Sequence, residues 1–287
     1  MSLYPSESAA ANLKITLASC AAKKQHNEKI TCLTAYDYPF ARLLDEAGID
    51  ILLVGDSWAM TTAGAEDTLA VTLDEMLISV RSVRRAARRA LVVADMPFGS
   101  YHLGRHQAVK NAIQLVKQAG AEAVKLEGGA ARAGIVSAIV AAEVPVMGHI
   151  GLTPQSVHRQ SGYRVQGTTP ESAEQLLRDA AAIEAAGAFA LVLEGVPREL
   201  AATITRRASI PTIGIGAGPD CDGQVLVLHD LLGLSFRPRP KFVRPYADLA
   251  TVVRQAADAY RQDVEHGQFP ADSESYHMPK VAQGACK

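Results

Sequence analysis

Short apolar runs alternate with helix-patterned stretches along almost the whole chain, and few folds accept that order. Six of the runs end in residues able to bind metal, take a proton or touch an anion. ILLVGDS closes on Asp56 and Ser57, LVVADMP carries Asp95, AVKLEGG carries Lys125 and Glu127, PVMGHIG carries His149, ALVLEGV carries Glu194, and TIGIGAG ends in glycines. Repeated strand–helix units imply right-handed crossovers around a parallel sheet. In a (β/α)8 TIM barrel the carboxyl ends of all strands meet on one face, so residues far apart in sequence converge there. A chain of 287 residues that is 48% hydrophobic can bury such a core as one domain.

The pattern predicts a short leading helix over 15–24 that caps the barrel floor. Strands are expected over 30–36, 51–55, 91–94, 123–126, 144–148, 190–193 and 212–215, with 225–228 the best candidate for an eighth. Helices are expected over 39–47, 73–89, 105–119, 130–142, 170–186, 197–208 and 248–265, and Pro39, Pro170 and Pro197 each suit a first helical turn. Residues 1–14 read as a disordered start, 15–267 as the catalytic barrel and 268–287 as a mobile tail. Two long loops, 59–72 and 152–169, follow the second and fifth strands and are expected to close over a ligand.

With 29 Lys and Arg against 30 Asp and Glu, no global field recruits nucleic acid or an anionic membrane. The basic cluster from Arg81 to Arg89 reads as the solvated face of a helix. Cys20, Cys32, Cys221 and Cys286 show no CxxC spacing, which fits a reducing cytosol. Leu17-Ala18-Ser19-Cys20 superficially matches a lipoprotein cleavage box, but Lys14 interrupts the apolar segment such a signal needs. No window approaches the roughly 18 apolar residues of a membrane helix. The expectation is a cytoplasmic protein without nucleic-acid or membrane partners.

Asp56, Asp95 and Glu127 each follow a mostly apolar run. Any one alone reads equally well as the cap of the next helix; three at successive strand ends do not, because a cap never requires Glu. Converging carboxylates repel without a cation, and a hard divalent ion such as Mg2+ resolves the conflict. Lys125 shares a strand face with Glu127, as a structural ion pair, a contact to an anionic substrate or its oxyanion, or a Schiff-base nucleophile. Glu194 has no obvious basic neighbour in sequence; an apolar setting would raise its pKa toward that of a general base, while Pro197 leaves a cap reading open. His149 reads as a group polarising a carbonyl, as a bridge to a metal's water, or as a structural donor. Gly214 to Gly218 read as a phosphate cradle or, since no basic residue adjoins them, as a close approach to a flat ligand.

At these residues the chain resembles the ketopantoate hydroxymethyltransferase family, over roughly residues 15–270. The segments that carry the resemblance are TAYDYPFARLLDEAGID, LLVGDS, ADMPFGSY, VKLEGG, GHIGLTPQSV, GYRVQG, LVLEGVP and IGIGAG with DGQVLVLHD. It implies transfer of a one-carbon unit from 5,10-methylenetetrahydrofolate to the 2-oxo acid 3-methyl-2-oxobutanoate, giving 2-dehydropantoate, the first committed step of pantothenate synthesis. It also implies that Asp56, Asp95 and Glu127 hold one Mg2+ per subunit, that Asp56, Ser57, Asp95 and Lys125 contact the oxo acid, and that Glu194 is the proton acceptor. Self-association into a homodecamer is implied as well. Trp58, Leu126 and Gly195 depart from the family's usual residues, and Trp58 stands where it would alter either the substrate wall or a subunit contact. Two rivals are a folate-independent lyase or aldolase acting on a 2-oxo acid, and a catalytically silent barrel serving assembly.

Overall fold

The computed structural model describes residues 13–278; most of the expected disordered start, the last residues of the expected tail and Cys286 lie outside them. Strands β1 (Ile30–Thr34), β2 (Ile51–Val54), β3 (Leu91–Asp95), β4 (Ala123–Glu127), β5 (Val146–Gly151), β6 (Ala190–Glu194), β7 (Thr212–Ile215) and β8 (Gly223–Leu226) close into one parallel barrel. Closure is made by β8 against β1, with Ile30 opposite Gly223 and Leu33 opposite Leu226. The helices are α1 (Leu17–Gln25), α2 (Tyr38–Glu46), α3 (Trp58–Thr61), α4 (Leu73–Ala86), α5 (Arg105–Ala119), α6 (Ala133–Ala141), α7 (Pro170–Ala185), α8 (Arg198–Arg207), α9 (Leu228–Leu231) and α10 (Leu249–Glu265). This is the TIM barrel expected from the alternation.

The strands are apolar on both faces because both are buried, a mark of parallel sheets wrapped by helices. Outside the barrel Leu52, Val54, Val92, Val124 and Leu191 pack under helix residues such as Met76, Val80, Leu115 and Ile183. Inside its lower half Ile30, Ile51, Leu91, Met147 and Ile213 fill the interior down to Ile15 and Cys20, so α1 does close the floor. Lys23 and Lys24 of α1 fasten it there by pairing with Asp50 (2.6 Å) and Asp222 (2.7 Å). The upper half is left for polar side chains.

Element ends moved where side chains claim backbone donors. Helix α4 starts on a reciprocal cap, Thr72 and Glu75 bonding each other's backbone N–H, worth about 1 kcal/mol. It stops short of the expected residue 89 because the Asp45 carboxylate accepts the N–H groups of Arg88, Arg89 and Ala90. The eighth strand runs over 223–226 rather than 225–228, since Leu228 already opens α9 and donates its N–H to Thr34 Oγ1 at 2.9 Å. The fifth strand extends to Gly151, whose partner is Glu194. Gly151 has φ +94°, and a Cβ there would meet the Glu194 carbonyl at 2.3 Å, so only glycine lets the two strand ends meet.

Among the described residues no helix is long and apolar enough to cross a membrane. Helix α10 stands apart from the rest: none of its residues is buried.

Candidate active site

Strand register assembles the site. Asp95 on β3 lies opposite Lys125 on β4, and Glu127 on β4 lies opposite His149 on β5. With Asp56 beyond β2, these five side chains are at least 95% buried. Lys125 Nζ contacts both Asp95 oxygens at 2.7 Å and stands 3.8 Å from Glu127 Oε1. His149 is wedged between two carboxylates, Nδ1 at 3.4 Å from Glu127 Oε1 and Nε2 at 3.2 Å from Glu194 Oε2. The Asp56 N–H donates to Asp95 Oδ2 at 3.3 Å. Ser57 Oγ lies 2.9 Å from Tyr36 Oη at the cavity wall.

None of these carboxylates caps a helix. The residues at the following helix starts are Ser57, Gly104, Gly129 and Pro197, and each acidic side chain points instead into the cluster. Glu194 does not sit in the purely apolar setting anticipated for it: its neighbour is His149, and at 16% side-chain exposure it is the most open carboxylate of the set.

Gln155 and Tyr101 hold the cluster together and were not singled out from the sequence. Gln155 Nε2 donates to Asp56 Oδ2 (2.8 Å) and to the Met96 carbonyl (3.0 Å), and its backbone N–H donates to Glu127 Oε2 (3.0 Å). Tyr101 Oη donates to Gln155 Oε1 at 2.6 Å and accepts the Glu127 N–H at 3.3 Å. The only available signals were an amide inside the TPQSV stretch of a long loop and an aromatic after MPFGS, neither of which carries periodicity.

Burial raises the Asp56 carboxyl well above the usual range, and the charges of Asp95 and Glu127 push it further. Burial also works against the Lys125 ammonium, but Asp95, Glu127 and Asp56 outweigh it and hold the amine above its ordinary value. His149 follows the same logic: burial and Lys125 oppose its charge, yet Glu127 and Glu194 prevail and its pKa is raised to about 9. Glu127 is lowered, since His149, Lys125 and the Gln155 N–H more than offset its burial.

Three buried acidic groups, set against the Lys125 ammonium and the His149 imidazole, make a donor set whose chemistry fits a hard divalent cation, and Glu127 Oε1 makes no hydrogen bond. The rotamers are those of ion pairs: among the described residues no three His, Cys, Asp or Glu side chains stand in ligand geometry about one point. Both Asp95 oxygens face Lys125 and Asp56 Oδ2 faces Gln155.

Above the cluster opens a cavity of about 1350 Å3, walled in part by both long loops through Met60, Thr68, Leu152 and Tyr163. Trp58 packs on the outer core instead of lining it. The close approach permitted by the IGIGAG glycines is used by the chain itself: a Cβ on Gly216 would come within 2.8 Å of the Phe242 ring, and one on Gly218 within 2.7 Å of the Arg198 side chain.

Fold and site together define a TIM-barrel enzyme, its titratable groups gathered where barrel strands end. A phosphonopyruvate hydrolase solved with oxalate and Mg2+ shares the fold with TM-score 0.59 at 14% identity, covering 90% of this chain and 92% of that one. A 2,3-dimethylmalate lyase of the PEP mutase/isocitrate lyase superfamily does so with TM-score 0.58 at 18% identity, over 91% of each chain. The sequence narrows the class. The family model for ketopantoate hydroxymethyltransferase matches residues 14–272. The 3-methyl-2-oxobutanoate hydroxymethyltransferase of Koribacter versatilis is 60% identical over 94% of this chain and 92% of its own, and that of Geobacter sulfurreducens is 56% identical over 88% and 95%. The chain belongs to the ketopantoate hydroxymethyltransferase family.

Proposed function

We propose that the protein transfers a hydroxymethyl group from 5,10-methylenetetrahydrofolate to 3-methyl-2-oxobutanoate, forming 2-dehydropantoate for pantothenate synthesis. The observation that carries this reading is the pairing of a partly exposed carboxylate, Glu194, with His149, whose other ring nitrogen faces the buried acidic cluster at Glu127. Glu194 accepts the proton from C3 of the oxo acid. His149 fixes its rotamer, so the base is oriented before the substrate arrives. Lys125 places an ammonium at the cluster, and it steadies negative charge developing on the 2-oxo oxygen. Ser57 Oγ, held by Tyr36, offers a hydroxyl to the substrate carboxylate.

Asp56 and Asp95, with Glu127 behind them, would hold one Mg2+ per subunit, which when bound supplies Lewis acidity to the 2-oxo acid. Water adds to the carrier's methylene carbon as its two C–N bonds break, each nitrogen keeping the electron pair and taking a proton from that water. This releases tetrahydrofolate and leaves the carbon as a carbonyl. The C3 carbanion then bonds to that carbon, and the resulting alkoxide takes the proton held by Glu194 to become the hydroxymethyl group. The long loops after β2 and β5 line the cavity and would keep bulk water from the carbanion.

Deuterium exchange at C3 of 3-methyl-2-oxobutanoate, with Mg2+ present and folate absent, tests this. A folate-independent lyase or a silent barrel would not exchange that branched position, and absence of exchange would overturn the reading. Three further features belong to it. The catalytic unit spans 15–267. The unpaired thiols of Cys20, Cys32 and Cys221 suit the cytoplasm. Self-association, up to the decamer implied by the resemblance, covers the exposed helix α10.

A further inference from the structure

The cavity is bipolar. Asp56, Asp95, Glu127 and Glu194 lie at its floor, whereas the outer wall carries Arg164 from the loop after β5, Arg198 of α8, and Arg237 and Lys241 from the segment after α9. Arg198 is neutralised by Asp220 at 2.7 Å. Among the described residues Arg164, Arg237 and Lys241 form no ion pair. Arg237 is nonetheless fixed, because Nη1 donates to the Glu66 carbonyl at 2.7 Å and Nη2 to the Ala65 carbonyl. Both acceptors are neutral, so the guanidinium keeps its charge while tying the segment after α9 to the loop after β2. Between the poles the walls are largely apolar, with Val196, Leu234, Phe236 and Phe242.

A volume of about 1350 Å3 exceeds the roughly 300–1,000 Å3 of most small-molecule sites and far exceeds the needs of a small oxo acid. The remaining space suits a ligand with a flat apolar body and an anionic far end. Three cations without an ion pair among the described residues, against the single carboxylate of Asp230 in that part of the lining, leave positive potential around a partly enclosed mouth.

We propose that Arg164, Arg237 and Lys241 bind the terminal carboxylates of the one-carbon carrier, so that the outer wall selects carriers with an oligo-γ-glutamyl tail over those with a single glutamate. This rests on the folate reading above. Each exposed cation contributes weakly alone, and a tail with several carboxylates engages them together.

The test is calorimetric titration of tetrahydrofolate bearing one or three glutamates into the wild-type protein and into Arg164→Ala/Lys241→Ala, two side chains that make no hydrogen bond among the described residues. The triglutamyl form is expected to bind the wild type about three- to tenfold tighter, with the preference shrinking at high salt. In the double variant the ratio should approach one, while Lys241→Arg, which keeps the charge, should keep the preference. A ratio of one in the wild type, or a preference that survives the double variant, overturns the assignment. Exchange at C3 in the wild type, measured without carrier, separates the failures: exchange without a tail preference sinks this inference alone, and no exchange sinks the reading beneath it.

Discussion

Gln155 Nε2 donates to Asp56 Oδ2 over 2.8 Å although 99 residues separate them. The same amide accepts from Tyr101, and its backbone N–H reaches Glu127, so one loop residue sets the rotamers of two carboxylates at the ends of β2 and β4, with β3 between them. Gln155→Leu leaves Asp56 and Tyr101 buried without these partners. A loss of about 2 kcal/mol in stability is expected from denaturant unfolding. Mg2+ affinity, read by calorimetry, should fall about 10- to 100-fold, as for other groups that orient metal-binding side chains. An unchanged Mg2+ affinity would remove Gln155 from any role in holding the acidic set.

Glu194→Gln keeps the size of the side chain and removes its ability to take a proton. Exchange at C3 should drop by about 10²-fold or more, with oxo acid binding changed little. If binding collapses instead, Glu194 is a ligand or a strut and the base lies elsewhere.

The imidazole of His149 ordinarily titrates at 6.5 and is raised to about 9 here by Glu127 and Glu194. A raised folded-state pKa means that the stabilisation is fully present below pH 6.5 and is lost as pH climbs through about 9. Unfolding free energy of the metal-free protein should therefore decline across that window, by up to a few kcal/mol. The decline should be smaller in Glu194→Gln, where one flanking charge is gone. A stability curve with equal slope in both proteins would detach His149 from Glu194.

Lys125 and Asp95 form the closest ion pair of the cluster, fully enclosed. Asp95→Ala strands a buried ammonium and should cost about 3–5 kcal/mol, with Mg2+ affinity lost first and turnover failing as a consequence. Asp95→Ala/Lys125→Met removes both charges and should regain much of that stability without regaining any turnover. Thermal unfolding of the single and double variants separates the two contributions; a double variant no more stable than the single would show that the pair holds the fold by packing and not by charge.

The barrel was legible because strand and helix periods alternate from residue 30 to 215, and a barrel gathers strand ends without further instruction. Lys125 and Glu127 were legible for the same reason, sharing one pleat face. Gln155 and Tyr101 were not, since loops lack a period and only the folded path of 152–169 turns the amide back into the barrel. The eighth strand was misplaced because Val225 to Leu228 reads as apolar throughout, while the hydrogen bond from Leu228 to Thr34 that ends it is tertiary. Glu194's partner was hidden similarly: His149 meets it only through strand pairing.

Helix α10 presents the remaining problem of burial. An isolated helix of this length is marginal in water, and most helical stability in proteins comes from packing an apolar face. Yet no residue of α10 is buried, and Val253, Tyr260 and Val264 recur along one stripe with Ala256 and Ala257 between them. Tyr260 meets the Phe269 ring at 5.4 Å between centroids and is still 60% exposed. A second copy of the chain is the partner that the proposed self-association supplies. Val253→Glu/Tyr260→Glu should lower the sedimenting mass and make the thermal midpoint depend more steeply on protein concentration, while far-ultraviolet dichroism keeps the barrel's signal. An unaltered sedimenting mass would place the subunit contact on another face of the barrel.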